Sequence, residues 1–301
     1  MADQQETRCG FASIIGAPNA GKSTLVNALV GGKVSIVSSK VQTTRTRVLG
    51  ILPHENAQII LIDTPGVFQP KKTLEKAMVG AALDAVKEGD VTMHMVDVTD
   101  RNLLDKNKMI ISSLPKNKPC YLILNKVDKI AKEKLLELSA SLHQQYDYAR
   151  TFMISALKKK GLTEILKALA EDLPAGDWMY DEDQMTTMPM RMLAAEITRE
   201  KIFNQLYQEV PYSIMVETEQ WENFDNGDVK ISQIVTVQKA SQKGVILGKG
   251  GSRIRQIGQE SRADLEDIMG CKVHLKLFVR VQENWQERPE TYQAMGLDIS
   301  Q

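Results

Sequence analysis

Residues 16–23 read GAPNAGKS, two glycines with four residues between them, the second followed at once by a lysine and a hydroxyl. That spacing is the one a phosphate-binding loop needs. Its backbone N–H groups can wrap the α- and β-phosphates of a nucleotide, and the helix that follows adds favourable positive potential. Lys22 is placed to reach the β- and γ-phosphates, and Ser23 to offer its hydroxyl to Mg²⁺. A dinucleotide-binding loop is excluded, because no G-x-G-x-x-G is present.

Three downstream stretches decide which nucleotide. Asp63-Thr64-Pro65-Gly66 ends the run AQIILI; an aspartate there can hold Mg²⁺ through water, and the Gly66 N–H can face the γ-phosphate. Asn125-Lys126-Val127-Asp128 ends the run CYLIL. A carboxylate at Asp128 accepts hydrogen bonds from guanine N1–H and the 2-amino group, and adenine would leave it unpaired at a cost. Lys126 would lay its aliphatic stem along the base, and Asn125 would brace the loop. Ser155-Ala156, after RTFMI, can offer backbone N–H to guanine O6. The expected nucleotide set is therefore Gly16, Ala17, Pro18, Asn19, Ala20, Gly21, Lys22, Ser23, Thr24, Thr43, Asp63, Thr64, Pro65, Gly66, Asn125, Lys126, Asp128, Ser155, Ala156 and Leu157. The expected ligand is GTP or GDP with Mg²⁺.

SSKVQTTRTR (38–47) lies between the loop and DTPG. Thr43 or Thr44 can supply a second metal ligand when a γ-phosphate is present and let go after hydrolysis, as switch loops do. Thr44 is preferred, giving Ser23, Thr44 and Asp63 (through water) as the metal set. Arg45 and Arg47 read as part of an ordinary polar loop leading into an edge strand. After Gly66 stands Val67, which cannot orient an attacking water as the Ras glutamine does. Asn19 is the candidate compensation: its side-chain oxygen could help hold K⁺ near the β- and γ-phosphates. The expected catalytic set is Asn19, Lys22, Thr44 and Gly66.

These residues need a scaffold that brings strand ends together. Short apolar runs at 11–16, 57–63, 91–98, 120–125 and 149–155 alternate with helical stretches at 24–29, 74–87, 103–114, 132–146 and 162–172. Such alternation implies an α/β domain, a mostly parallel sheet with helices on both faces. Every nucleotide motif then falls at a strand C-terminal end, where ligands bind in open α/β sheets. The domain spans 1–173. LPAGDWMYDEDQMTTMP, rich in proline and acid, reads as a linker over 174–188.

A smaller α+β domain follows over 189–301. It reads as a helix from Met190 to Val210 closed by Pro211, two strands joined through FDNGD, a glycine-rich turn KGVILGKGG, a helix and a last strand, VHLKLFVRV. Gly248-Lys249-Gly250-Gly251 opens that last helix. A G-x-x-G there lets a phosphodiester backbone approach, with Lys249 and helix N–H groups facing it. From 239 to 262 there are six Lys/Arg against one acid, Glu260. Val245, Ile246, Ile254 and Ile257 could line a groove for unstacked bases. The pattern is that of a KH-type module (type II) for single-stranded RNA, with Ile246, Gly248, Lys249, Gly250, Gly251, Arg253, Ile254 and Ile257 as its contact set.

Lys+Arg and Asp+Glu both number 38, so no partner is implied by net charge and an RNA footprint must be local. Three scattered cysteines fit neither a metal cage nor a disulfide framework. The N-terminus lacks a signal-like apolar stretch, and no run approaches the ~18 residues of a membrane span. A soluble, cytoplasmic monomer is expected.

The chain resembles the bacterial Era family of GTPases along nearly its whole length. The resemblance rests on GAPNAGKS, QTTR, DTPG, NKVD, SA followed by Gly161, PYS at 211–213, and VILGKGGSRI followed by VHLKLFV. It implies binding of the 3′ end of small-subunit ribosomal RNA, a role in small ribosomal subunit assembly, nucleotide-controlled docking of the two domains, and potassium-assisted hydrolysis. Peripheral contact with the inner face of the cell membrane stays open. The chain departs from the family pattern at Val41, where proline is common, and at Phe68, where histidine is common. Two other classes compete with a regulatory GTPase. One is a nucleotide-gated RNA scaffold in which hydrolysis is incidental. The other is a P-loop kinase of a small metabolite, in which NKVD has no purpose.

Overall fold

The structure is a computed structural model and describes residues 6–40, 42–206, 210–288 and 291; Val41 lies outside them. The described chain divides into two compact units. One runs to Ser35 and again from Thr44 to Thr187; the other comprises Ile36–Thr43 and the chain from Met188 onward.

In the first unit, β1 (Arg8–Gly16), β3 (Ala57–Asp63), β4 (Val91–Asp97), β5 (Cys120–Asn125) and β6 (Arg150–Ile154) run parallel, and β2 (Val48–His54) pairs antiparallel with β3 at the edge. The order is β2-β3-β1-β4-β5-β6. β3 and β5 are buried at every position, the result that unbroken apolar runs require. Consecutive residues feed opposite faces. Ile14 joins Leu25, Ile59 and Ile165 on the side of α1 (Lys22–Val30) and α5 (Thr163–Asp172). Ile15 joins Val79, Ile110 and Leu135 on the side of α2 (Thr73–Glu88), α3 (Leu103–Ser112) and α4 (Lys132–His143).

Residues 174–187, read above as linker, are fastened to this unit. Pro174 and Met185 carbonyls accept from Cys9 and Ile51 N–H. The buried Gln58 side chain accepts from Met179 and Tyr180 N–H at 2.9 and 3.0 Å and donates to the Tyr180 carbonyl at 2.7 Å. A buried amide with these bonds made is stable there, and unpaired it would be costly.

The second unit contains α6 (Met190–Gln205), β7 (Ile214–Asn223), β8 (Val229–Val237), α7 (Ala240–Leu247), α8 (Ser252–Met269) and β9 (Val273–Val281). β8 is central, antiparallel to β7 and parallel to β9. The FDNGD hairpin forms as expected, with Gly227 at φ 85° and Phe224 N–H donating to the Asp228 carbonyl. Two expectations need correction. KGVILGKGG is not a continuous turn: residues through Leu247 are helical, because Ile246 packs fully buried among Val235, Val237 and Ile257 and that burial outweighs the Gly244 penalty. The first helix ends at Gln205 rather than Val210, with Leu206 already extended; residues 207–209 lie outside the described ones.

Ile36–Thr43 belongs to this unit through α6. Glu200 accepts from Val37 N–H at 2.7 Å, Arg199 donates to the Thr43 carbonyl at 2.5 Å, and Lys40 donates to the Phe203 and Leu206 carbonyls. Arg199 is 2% exposed and stacks over the Phe203 ring. No helix among the described residues is long and apolar enough to cross a membrane.

Candidate functional site

The phosphate-loop residues leave β1 and enter α1 through a backbone that side chains larger than hydrogen cannot follow. Gly21 sits at φ 103°, and a Cβ there would lie 2.4 Å from Asn125 Nδ2; at Gly16 it would lie 2.4 Å from the Met95 carbonyl oxygen. Ala17 and Ala20 are buried, Thr24 is half-buried on α1, and Asn19 is exposed at the apex at φ 64°. Pro18 packs directly on Gly66, where a Cβ would come within 2.8 Å of the proline backbone. The first and third nucleotide motifs are thereby locked: Asn125 Nδ2 donates to the Ala20 carbonyl at 2.7 Å, and Asn125 Oδ1 accepts from Ala156 N–H at 3.0 Å.

Lys22 is buried, and its ammonium donates to the Gly16 and Ala17 carbonyls at 3.1 and 3.2 Å. Burial pulls its pKa down to about 8, with the Asp63 charge opposing. Beside it, Ser23 Oγ lies 2.7 Å from Asp63 Oδ2 and 2.8 Å from Thr44 Oγ1, and Ser35 Oγ also donates to Asp63 Oδ2 at 2.7 Å. Asp63 Oδ1 is buried and makes no hydrogen bond. Burial pushes the Asp63 carboxyl up; bonds from Ser23 and Ser35 and the Lys22 charge oppose that. Two hydroxyls and a carboxylate with an unengaged buried oxygen form a hard-oxygen set of the kind Mg²⁺ takes. Thr43 is differently engaged: its hydroxyl donates to the Lys40 carbonyl at 2.6 Å.

Thr64 and Pro65 are buried, and the Thr64 hydroxyl donates to the Ile14 carbonyl at 2.6 Å. Val67 is 2% exposed and packs with Ile15 and Val79, so the residue after DTPG points into the core; Phe68 packs half-buried beside it. Arg45 is buried, unlike a polar-loop arginine, and Arg47 pairs with Glu88.

At the base end, Lys126 donates to the Asn19 carbonyl at 2.9 Å and pairs with Asp97. Asp128 pairs with Lys158 at 2.9 Å, which, with a Ser155 hydrogen bond, holds its carboxyl below the usual range. Ser155 and Ala156 are buried, and Leu157 is exposed, leaving its backbone as the part able to face a base. Sequence reading missed Ser35, Asp97 and Lys158; of these only Lys158 had a local signal, the lysine run directly after Ser155-Ala156-Leu157.

In the second unit, Gly248, Gly250 and Gly251 all have positive φ, at 70°, 60° and 75°. A Cβ on Gly250 would meet nothing within 4 Å, so the turn presents bare backbone beside exposed Lys249. Arg253 donates to the Val245 carbonyl and so closes the turn. The apolar groove reading is corrected: Ile246 and Ile257 are both 0% exposed and form the core, because the inward faces of α7 and α8 carry them against β8. Val245 and Ile254 are the members of that set that reach the surface.

These two units define a P-loop GTPase domain followed by a KH domain. Residues 11–126 match the family model of 50S ribosome-binding GTPases, and 209–286 that of the KH domain. GTPase Era of Mesorhizobium japonicum is 50% identical over 99% of this chain and 96% of its own length, and that of Sinorhizobium medicae 50% identical over 97% and 94%. The chain belongs to the Era family of GTPases. A crystal structure of Era in complex with MgGDPNP and nucleotides 1506–1542 of 16S ribosomal RNA superposes with a TM-score of 0.91 at 39% identity, covering 96% of this chain and 99% of that one. An Aquifex aeolicus Era variant bound to GDP·AlF4⁻ does so with the same TM-score at 38% identity, covering 96% and 99%.

Proposed function

We propose that this GTPase binds GTP or GDP with Mg²⁺ and uses its nucleotide state to time the binding of small-subunit ribosomal RNA by its KH domain during small ribosomal subunit assembly. The carrying observation is the meeting of Ser23, Thr44 and Asp63, with Thr44 next in sequence to Thr43, whose carbonyl Arg199 of α6 holds. Ser23, Thr44 and Asp63 would hold Mg²⁺, and Thr44 would be released once the γ-phosphate is gone, a change that its neighbour Thr43 would pass to Arg199. Mg²⁺, when bound, would neutralise developing charge on the phosphates. Lys22 would add a second positive charge, Gly66 N–H would donate to the γ-phosphate, and Asp128 would select guanine. Thr44 rather than Thr43 takes the metal role, since the Thr43 hydroxyl is engaged with Lys40.

The bound RNA is a short single strand laid over Gly248–Gly251, with Lys249 at its phosphates. The 16S ribosomal RNA segment held in the crystal structure of Era supports that reading. Val67 is buried in the core and cannot orient water; Asn19 would help hold K⁺, which would add positive charge at the phosphates during hydrolysis. The reading is tested by GTP turnover with and without an RNA of the small-subunit 3′ end, in K⁺ and in Na⁺. Expected are Mg²⁺-dependent turnover that rises with RNA, and a potassium advantage lost in Asn19→Ala. No turnover in any condition would leave a binding scaffold, and equal rates in both salts would remove the potassium role.

A further inference from the structure

The strand order β1-β4-β5 puts the C-terminal end of β4 between the phosphate loop that follows β1 and the NKVD loop that follows β5. A side chain at that end can therefore touch both nucleotide loops. The residue there is Asp97, paired in register with Asn125. Its two oxygens are divided between neighbours. Oδ1 accepts from Thr99 N–H at 2.9 Å and the Thr99 hydroxyl at 2.6 Å, which fixes the carboxylate on its own turn. Oδ2 takes the Lys126 ammonium, which also donates to the Asn19 carbonyl of the phosphate loop.

We propose that Asp97 is a positioning residue for the guanine nucleotide, acting through Lys126. The inference rests on Lys126 laying its stem along the base. A lysine stem has four rotatable bonds, and holding it as a flat platform costs conformational entropy at each binding event. Asp97 removes most of that cost beforehand by pinning the ammonium, and the Asn19 carbonyl supplies the second point. The pair is only 28% and 18% exposed at its side chains, so solvent screens it less than a surface pair. Because base and sugar are the same in both nucleotides, Asp97 affects GDP and GTP alike, and it acts on how long the nucleotide stays rather than on the phosphate chemistry.

The test is the release rate of a fluorescent GDP analogue, and of a non-hydrolysable GTP analogue, from the full chain. D97A should release both about tenfold faster, K126A at least as fast, and the D97A/K126A double variant no faster than K126A, since the two residues act as one unit. Release from D97A at the wild-type rate beside a fast K126A overturns the proposal alone, as do effects that multiply in the double variant. K126A at the wild-type rate removes the platform reading of Lys126 and this proposal with it.

Discussion

Lys22 makes a prediction whose size follows from its burial. Its ammonium is buried against two loop carbonyls, and burial lowers its pKa from 10.5 to about 8. Bound phosphates restore the positive form, so the nucleotide binds the protonated lysine and raises its pKa. Affinity is then full below the free-protein value and is lost as pH rises through about 8. The protonated fraction is about nine-tenths at pH 7 and about one-tenth at pH 9, so GDP affinity should fall by about tenfold between them. Titration with a fluorescent GDP analogue at constant ionic strength measures it. Lys22→Arg, whose charge does not titrate in this range, should bind more weakly and show a flat profile. A flat wild-type profile would refute the reasoning, because a lysine at its ordinary pKa stays charged throughout.

The remaining predictions concern stability, the metal and the RNA. His94 is fully buried between Tyr148 and Asn107, and burial pulls its pKa to about 4. The unfolded chain binds a proton there that the folded chain refuses, so stability is lost as pH falls below the ordinary value of 6.5. Urea unfolding should show a loss of about 2 kcal/mol between pH 7 and pH 5 that is absent from the pH dependence of His94→Gln. Thr44→Ala should lower Mg²⁺-dependent GTP turnover by at least about tenfold, and Thr43→Ala should leave it within a factor of about three. Lys249→Ala should weaken RNA binding and reduce the slope of log affinity against log salt by about one, measured by fluorescence anisotropy.

Much of this molecule is legible from residue order because its motifs sit on strands buried on both faces. Ala57–Asp63 and Cys120–Asn125 are apolar almost throughout, and the structure forms strands at those bounds. The phosphate loop, DTPG and NKVD end such strands and so converge. What was not legible depends on who packs against whom. A helix over Ala240–Leu247 is hidden by Gly244 and the glycines that follow; it exists because Ile246 has a core to enter. The same burial takes Ile246 and Ile257 out of the RNA groove, a distinction periodicity cannot make, since an apolar face reads alike in either role. Asp97, Ser35 and Lys158 are single residues outside any motif. Strand order and loop closure bring them to Lys126, Asp63 and Asp128, and only Lys158, in the lysine run after Leu157, had any local signal. Pro18, opaque in sequence, is the surface on which Gly66 rests.

In the proposed function the nucleotide sets RNA affinity through the stretch between Ser35 and Thr44. The most direct measurement is the affinity of the full chain for an RNA of the small-subunit 3′ end, with a non-hydrolysable GTP analogue and Mg²⁺ and then with GDP and Mg²⁺. Binding should be tighter with the GTP analogue by about five- to a hundredfold, the range of ordinary coupling energies, and RNA should shift the preference for the GTP analogue over GDP by the same factor. Identical RNA affinities in the two nucleotide states would contradict it.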